Sequence, residues 1–167
     1  MRWIVLLAGL LLGTGAAAGH VFFFQIQGDW AVTCDRDLAS GRKTCRMSAP
    51  PPALGGLRSS MAVTEEPGGL FRVAVRVPGH VDVARPFLVA VDGAPQTPVT
   101  PSPFGEAAWA GLHGTQLVDA LAKGRQAVLY FGLPGGEVRS ETFSLAGFPA
   151  ALALLRENLL RHGVLAK

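Results

Sequence analysis

Cys34 and Cys45 are the only cysteines in the chain, and the segment that separates them constrains the fold more than any other feature. Asp35 to Thr44 is polar at both ends and carries Ala39-Ser40-Gly41 in the middle, as a hairpin turn does. If Cys34 faces Cys45 across that hairpin, Val32 faces Met47 and Trp30 faces Ala49. One face then reads Trp, Val, Cys against Cys, Met, Ala. Asp29, Ala31, Thr33 and Asp35 share the other face with Thr44, Arg46 and Ser48. This is the apolar-in, polar-out alternation of a half-buried antiparallel pair. Directly opposed residues have the Cα separation a disulfide tolerates, so the pattern predicts a bridge on the buried face, with Trp30 and Val32 in the core beside it. A redox or metal pair is the rival reading, and neither C-x-x-C spacing nor a neighbouring His supports it.

A disulfide requires an oxidising compartment, and the N-terminus supplies a route to one. Arg2 is followed by the apolar run Trp3 to Leu12 and then by Gly13-Thr14-Gly15-Ala16-Ala17-Ala18, in which Ala16-x-Ala18 fits a small-residue cleavage site before Gly19. Residues 1–18 are read as a signal peptide and 19–167 as a single exported domain in the periplasm or cell envelope. The competing reading is an uncleaved anchor, because Val21-Phe22-Phe23-Phe24 prolongs the apolar character and Trp3 to Ile26 is long enough to span. Only that reading brings in a membrane. Hydrophobic residues form 49% of the chain and charged ones 16%, which excludes intrinsic disorder. The net charge of +3 comes from residues scattered without a run, so no nucleic-acid footprint is present.

Beyond the hairpin the chain reads as short strands separated by turn signals. The proline-rich Ala49 to Gly56 is a loop; Leu57 to Thr64 is a strand, and Glu65-Glu66-Pro67-Gly68-Gly69 turns the chain. Phe71, Val73, Val75 and Val77 alternate with Arg72 and Arg76, the clearest strand in the sequence, and place Phe71, Val73 and Val75 in the core. Phe87 to Val91 ends at Asp92-Gly93, a strong hairpin signal. Pro95, Pro98, Pro101 and Pro103 confine any strand between Ala94 and Gly105 to a sheet edge. Thr115 is placed as the cap of a short helix stopped by Gly124. Gln126 to Leu133 reads as a central strand and Glu137 to Leu145 as an alternating one. A final helix begins at Pro149 and buries Ala151, Leu152, Leu155 and Leu159, with Phe148 before it in the core. The class that follows is all-β: an immunoglobulin-like β-sandwich with one short internal helix and a C-terminal helix.

Chemistry is sparse. His80 lies in a turn, His113 between two glycines in a loop and His162 at a helix C-terminus, and no two share metal-ligand spacing. Glu65 and Glu66 are neighbours on an extended segment and so point to opposite sides. No G-x-S-x-G, P-loop, G-x-G-x-x-G after a strand or H-E-x-x-H occurs, and no catalytic residue, metal or cofactor is assigned. A hydrolase acting on envelope material would need a pocket where His113 or His80 meets Asp82, Asp92 or Glu106.

Several landmarks in order carry a resemblance. Gly28-Asp29-Trp30-Ala31-Val32-Thr33-Cys34 precedes Gly41-Arg42-Lys43-Thr44-Cys45. Val77-Pro78-Gly79-His80-Val81 leads to Leu88-Val89-Ala90-Val91-Asp92-Gly93, and Phe143-Ser144-Leu145-Ala146-Gly147-Phe148-Pro149-Ala150-Ala151-Leu152 closes the series. From Gly28 to Leu155 the chain resembles the invasion-associated locus B family of small exported proteins of alphaproteobacteria and their relatives. It departs from that family at 101–106, where the family commonly carries a second cysteine pair as C-x-x-x-G-C and only Gly105 remains here. The resemblance implies a periplasmic or envelope-associated β-sandwich without an established catalytic activity, named for a host-invasion phenotype. The expected function is a non-enzymatic, disulfide-stapled interaction module with a protein partner in the envelope or a membrane complex. A membrane-tethered accessory subunit is the alternative.

Overall fold

The computed structural model describes residues 19–50, 58–66, 68–94, 97–104 and 107–164; the expected signal peptide and most of the expected proline-rich loop lie outside them. Strands β1 (Gly19–Gln27), β2 (Trp30–Asp37), β3 (Lys43–Ala49), β4 (Ser60–Glu66) and β5 (Leu70–Pro78) run as an antiparallel meander. The chain then makes β6 (Phe87–Val91) and β7 (Thr97–Val99) of a second sheet and returns with β8 (Pro101–Phe104) and β9 (Ala107–His113) to the first. Helix α1 (Thr115–Lys123), strands β10 (Gln126–Gly132) and β11 (Val138–Ser144), and helix α2 (Phe148–Arg161) complete it. The larger sheet has the order β1-β2-β3-β4-β5-β9-β8 and the smaller β11-β10-β6-β7. The result is a two-sheet antiparallel β-sandwich with one short internal and one C-terminal helix.

One continuous core joins the layers. Phe71, Val73, Val75 and Val77 on β5 contribute to it together with Phe87, Val89 and Val91 on β6 and Ala127, Leu129 and Phe131 on β10. Helix α2 lies across β1, β2 and β3 and buries Phe148, Ala151, Leu152, Leu155 and Leu159. Its apolar stripe at helical spacing thereby covers the half of the large sheet that carries Trp30, Val32, Cys34, Cys45 and Met47. Cys34 and Cys45 stand directly opposite in the β2–β3 ladder, are bonded, and have Cα atoms 4.1 Å apart. They occupy a non-hydrogen-bonded pair, the closest approach an antiparallel ladder offers.

Several expectations need correction. Val21 to Ile26 belongs to β1 and pairs with β2, so it is not the end of a spanning helix from Trp3; no helix among the described residues is long and apolar enough to cross a membrane. The β2–β3 ladder ends at Ala31↔Ser48, one residue short of Trp30 and Ala49, although both of those are buried. The second face of that hairpin is not simply polar and solvated. Ala31, Thr33 and Ser48 are buried on it. Residues 107–113, unassigned from sequence, form β9 against β5, so His113 ends a strand and is not a loop residue.

Both helices also start differently. Thr115 is the first helical residue of α1 and caps nothing, the N-cap being Gly114. Gly124 does end α1, but in an extended conformation. A Cβ there would lie 2.4 Å from Val91 Cγ1, so glycine serves packing and not a left-handed cap. Helix α2 begins at Phe148, with Pro149 just inside it, and ends at Arg161 ahead of Gly163.

Candidate functional site

Two features could carry function: the place where the sequence landmarks converge, and the part of the surface that the fold leaves open. The first is built from the β1–β2 turn and the bend that leads into α2. Gly28 has φ 60 and is the first central residue of a two-residue turn, the geometry a type II′ hairpin demands. The amide of Asp29 donates to the carbonyl of Ala146 at 3.0 Å. Trp30 is fully buried; its Nε1 donates to the carbonyl of Ser144 at 3.0 Å, and its ring meets Phe148 edge-on with centroids 4.8 Å apart. Gly147 has φ 86, and a Cβ there would lie 2.1 Å from the carbonyl oxygen of Gln27. Gly28-Asp29-Trp30 and Ser144 to Phe148 thus form a backbone clasp between the two sheets. Every polar contact named in it is spent on holding the layers together.

The candidate acid–base residues are dispersed. Glu66 lies 3.3 Å from His113 Nδ1 and 3.8 Å from Arg72 on an exposed face of β4, β5 and β9. Glu65 turns the other way and sits 3.5 Å from Arg156 Nε, whose guanidinium stacks 4.8 Å above the Phe71 ring. The two carboxylates do point apart. Asp82 pairs with Arg85 at 3.2 Å and accepts from the Ala84 amide, while Asp92 accepts from the amides of Arg125 and Gln126. His80 is exposed in its turn, His162 packs on Phe22 at 4.8 Å, and Glu106 lies outside the described residues. A cleft of about 510 Å³ beside α1 has His113 at its edge, but its walls include Leu70, Val89, Val91, Leu112 and Leu117. Neither His113 nor His80 meets Asp82 or Asp92. Among the described residues no cluster of His, Cys, Asp and Glu is arranged to hold a metal ion.

The second feature is the outer face of β1. Val21 and Ile26 are each 52% exposed and Phe24 49%, and all three stand on the side of the large sheet away from α2. Among the described residues the other exposed large apolar side chains, Leu38, Leu70, Val83, Val138 and Leu160, are scattered singly along the chain in separate strands, loops and a helix. Residue reading missed this strip because a bulge between Val21 and Phe23 turns both Phe22 and Phe23 toward the core. That doubling hides the alternation on either side of it. The usable signal was Phe23-Gln25-Gln27 alternating with Phe24-Ile26 just before Gly28-Asp29.

A small β-sandwich closed by a covering C-terminal helix, with a disulfide across one hairpin, is the class these features define. Its fold is that of the crystal structure of invasion associated protein B from Bartonella henselae, with a TM-score of 0.68 and 20% identity over 81% of this chain and 96% of that one. The family resemblance carried by the ordered landmarks therefore has a structural counterpart. No protein-family model matches the sequence, and no curated protein matches it.

Proposed function

We propose that this chain is an exported, disulfide-stapled interaction module of the cell envelope that works by contact and not by catalysis, as its resemblance to invasion-associated locus B proteins implies. The observation that carries the reading is the exposed strip Val21, Phe24 and Ile26 on an edge strand. Apolar side chains gathered on one face mark a contact surface, whereas isolated ones are ordinary. Export is supported by the signal-like segment 1–18 and by the Cys34–Cys45 bond, which a periplasm-like compartment maintains. The partner is a protein of the envelope or of a membrane complex, not a nucleic acid.

The test is a photo-crosslinking residue placed at Phe24 in living cells, with Leu160, a still more exposed apolar residue, as the control. Adducts to an envelope protein from Phe24 and not from Leu160 are expected; the same yield from both sites would remove the assignment of the surface. The mass of the purified protein separates cleavage before Gly19 from a retained anchor.

A further inference from the structure

We propose that the strand which covers β1 is β1 of a second copy of this chain, paired antiparallel about a two-fold axis at Gln25. The proposal rests on the reading of the β1 face as the contact surface and names what occupies it.

Among the described residues the two sheets end in four edge strands; three of them carry the prolines, charges or shortness that block strand addition, while β1 carries only the bulge between Val21 and Phe23. Strand β8 has Pro101 and Pro103, β7 is three residues long with Pro98 at its centre, and β11 carries Arg139 and Glu141. Strand β1, Gly-His-Val-Phe-Phe-Phe-Gln-Ile-Gln, is nine residues long and has no proline, lysine, arginine, aspartate or glutamate. An edge of that length and composition is open to pairing.

The backbone pattern shows where it is open. The amide of Asp37 donates to the carbonyl of Arg42 at 2.9 Å, so the odd-numbered residues of β2 turn their peptide groups toward β3 and the even-numbered ones toward β1. Trp30, Val32 and Cys34 therefore bond Gln27, Gln25 and Phe23, which leaves the amide and carbonyl groups of Phe24 and Ile26 facing outward. The two residues with outward backbone groups are also two of the three with exposed apolar side chains. The bulge before Phe23 limits regular pairing to the segment from Phe23 to Gln27.

Within that segment one antiparallel register uses every outward group. With Gln25 on the axis, the amide and carbonyl of Phe24 bond those of Ile26 in the second copy, and Ile26 bonds Phe24 of that copy in return. Phe24 and Ile26 then become cross-strand neighbours on the outer face, the kind of apolar pair that stabilises a sheet. Because the segment is uncharged, the two-fold places no like charges together, and a self-complementary edge needs no second gene product to supply the matching register. The contact is smaller than a standard stable interface of roughly 1,600 Å², so the pair forms in a concentration-dependent way.

The test takes the full exported chain with its native disulfide and measures mass by light scattering across a concentration series. The mass is expected to rise toward twice the monomer value, and Phe24→Lys is expected to hold it at the monomer with an unchanged circular dichroism spectrum and, in dilute solution, an unchanged melting transition. Gln25→Cys should oxidise to a covalent dimer, while Leu38→Cys at the same concentration should not. A monomer at every concentration with no preferential Gln25→Cys crosslink overturns the proposal, as does a dimer that survives Phe24→Lys. If the chain stays monomeric while Phe24 crosslinks another envelope protein in cells, the contact surface stands and the second copy does not.

Discussion

The turn at Gly28 divides β1 and β2 into regions that use similar side chains for opposite ends. On one side, Trp30 and the backbone of Asp29 are locked to Ser144, Ala146 and Phe148. On the other, Phe24 and Ile26 of β1 stand about half exposed with their peptide groups directed away from the sheet. Two of the segments that carry the family resemblance, Gly28 to Cys34 and Phe143 to Leu152, belong to the first region. They hold two sheets and a helix together, and a protein only 20% identical to this chain shares the fold. The exposed strip lies just ahead of those landmarks, so the resemblance can transmit the architecture without transmitting the surface.

If this division is sound, substitutions in the clasp should be costly to stability and substitutions on the strip should not. The largest effect is expected from Trp30→Ala, which removes a fully buried indole and its bond to Ser144; the loss should be about 3–5 kcal/mol by denaturant unfolding. Cys45→Ser comes next at roughly 2–4 kcal/mol, because the unfolded chain regains the entropy that the hairpin cross-link removes. A Trp30→Ala loss below that of an ordinary surface substitution would show that the clasp is not what couples the sheets. Phe24→Ser, by contrast, should change stability by no more than about 0.5 kcal/mol in dilute solution, since the side chain makes its proposed contacts only in the assembly.

The smallest effect concerns the β2–β3 turn. Asp37 accepts from the Ser40 amide at 2.7 Å, the Ser40 hydroxyl at 2.9 Å and the Ala39 amide at 3.0 Å. The Ser40 amide and then its hydroxyl hold the carboxyl below its ordinary pKa, with Ala39 and Arg42 adding to the effect. A depressed folded-state pKa means that the turn is stabilised above the unfolded-state value and loses that stabilisation as pH falls through the folded-state one. Carboxyl NMR should place the Asp37 midpoint below the ordinary aspartate value, and Ser40→Ala should move it upward. An unmoved midpoint would remove the Ser40 hydroxyl as a cause.

The parts of the molecule legible in its sequence are those where alternation is clean and side chains are large. The Cys34–Cys45 register follows from period-two burial on both strands, β5 from Phe and Val alternating with Arg, and β6 from a short apolar run. Strand β9 was illegible because its inward residues Ala108 and Ala110 are small and its neighbours include Gly111, so the pattern has little amplitude. Strand β1 was illegible for the opposite reason. Val-Phe-Phe-Phe is so apolar, and so close to the apolar run Trp3 to Leu12, that it reads as continuous hydrophobicity until the bulge is known. The candidate surface was lost with it.

Amide hydrogen exchange resolved along β1 tests the central claim most directly, because inward and outward peptide groups alternate there. In dilute protein the amides of Gln25 and Gln27, bonded to β2, should be protected, while those of Phe24 and Ile26 should exchange at nearly the rate of an open strand. As concentration rises, the Phe24 and Ile26 amides should gain protection together. Strong protection of both at high dilution would mean that the chain covers its own edge, and the account of β1 as an open contact surface would be contradicted.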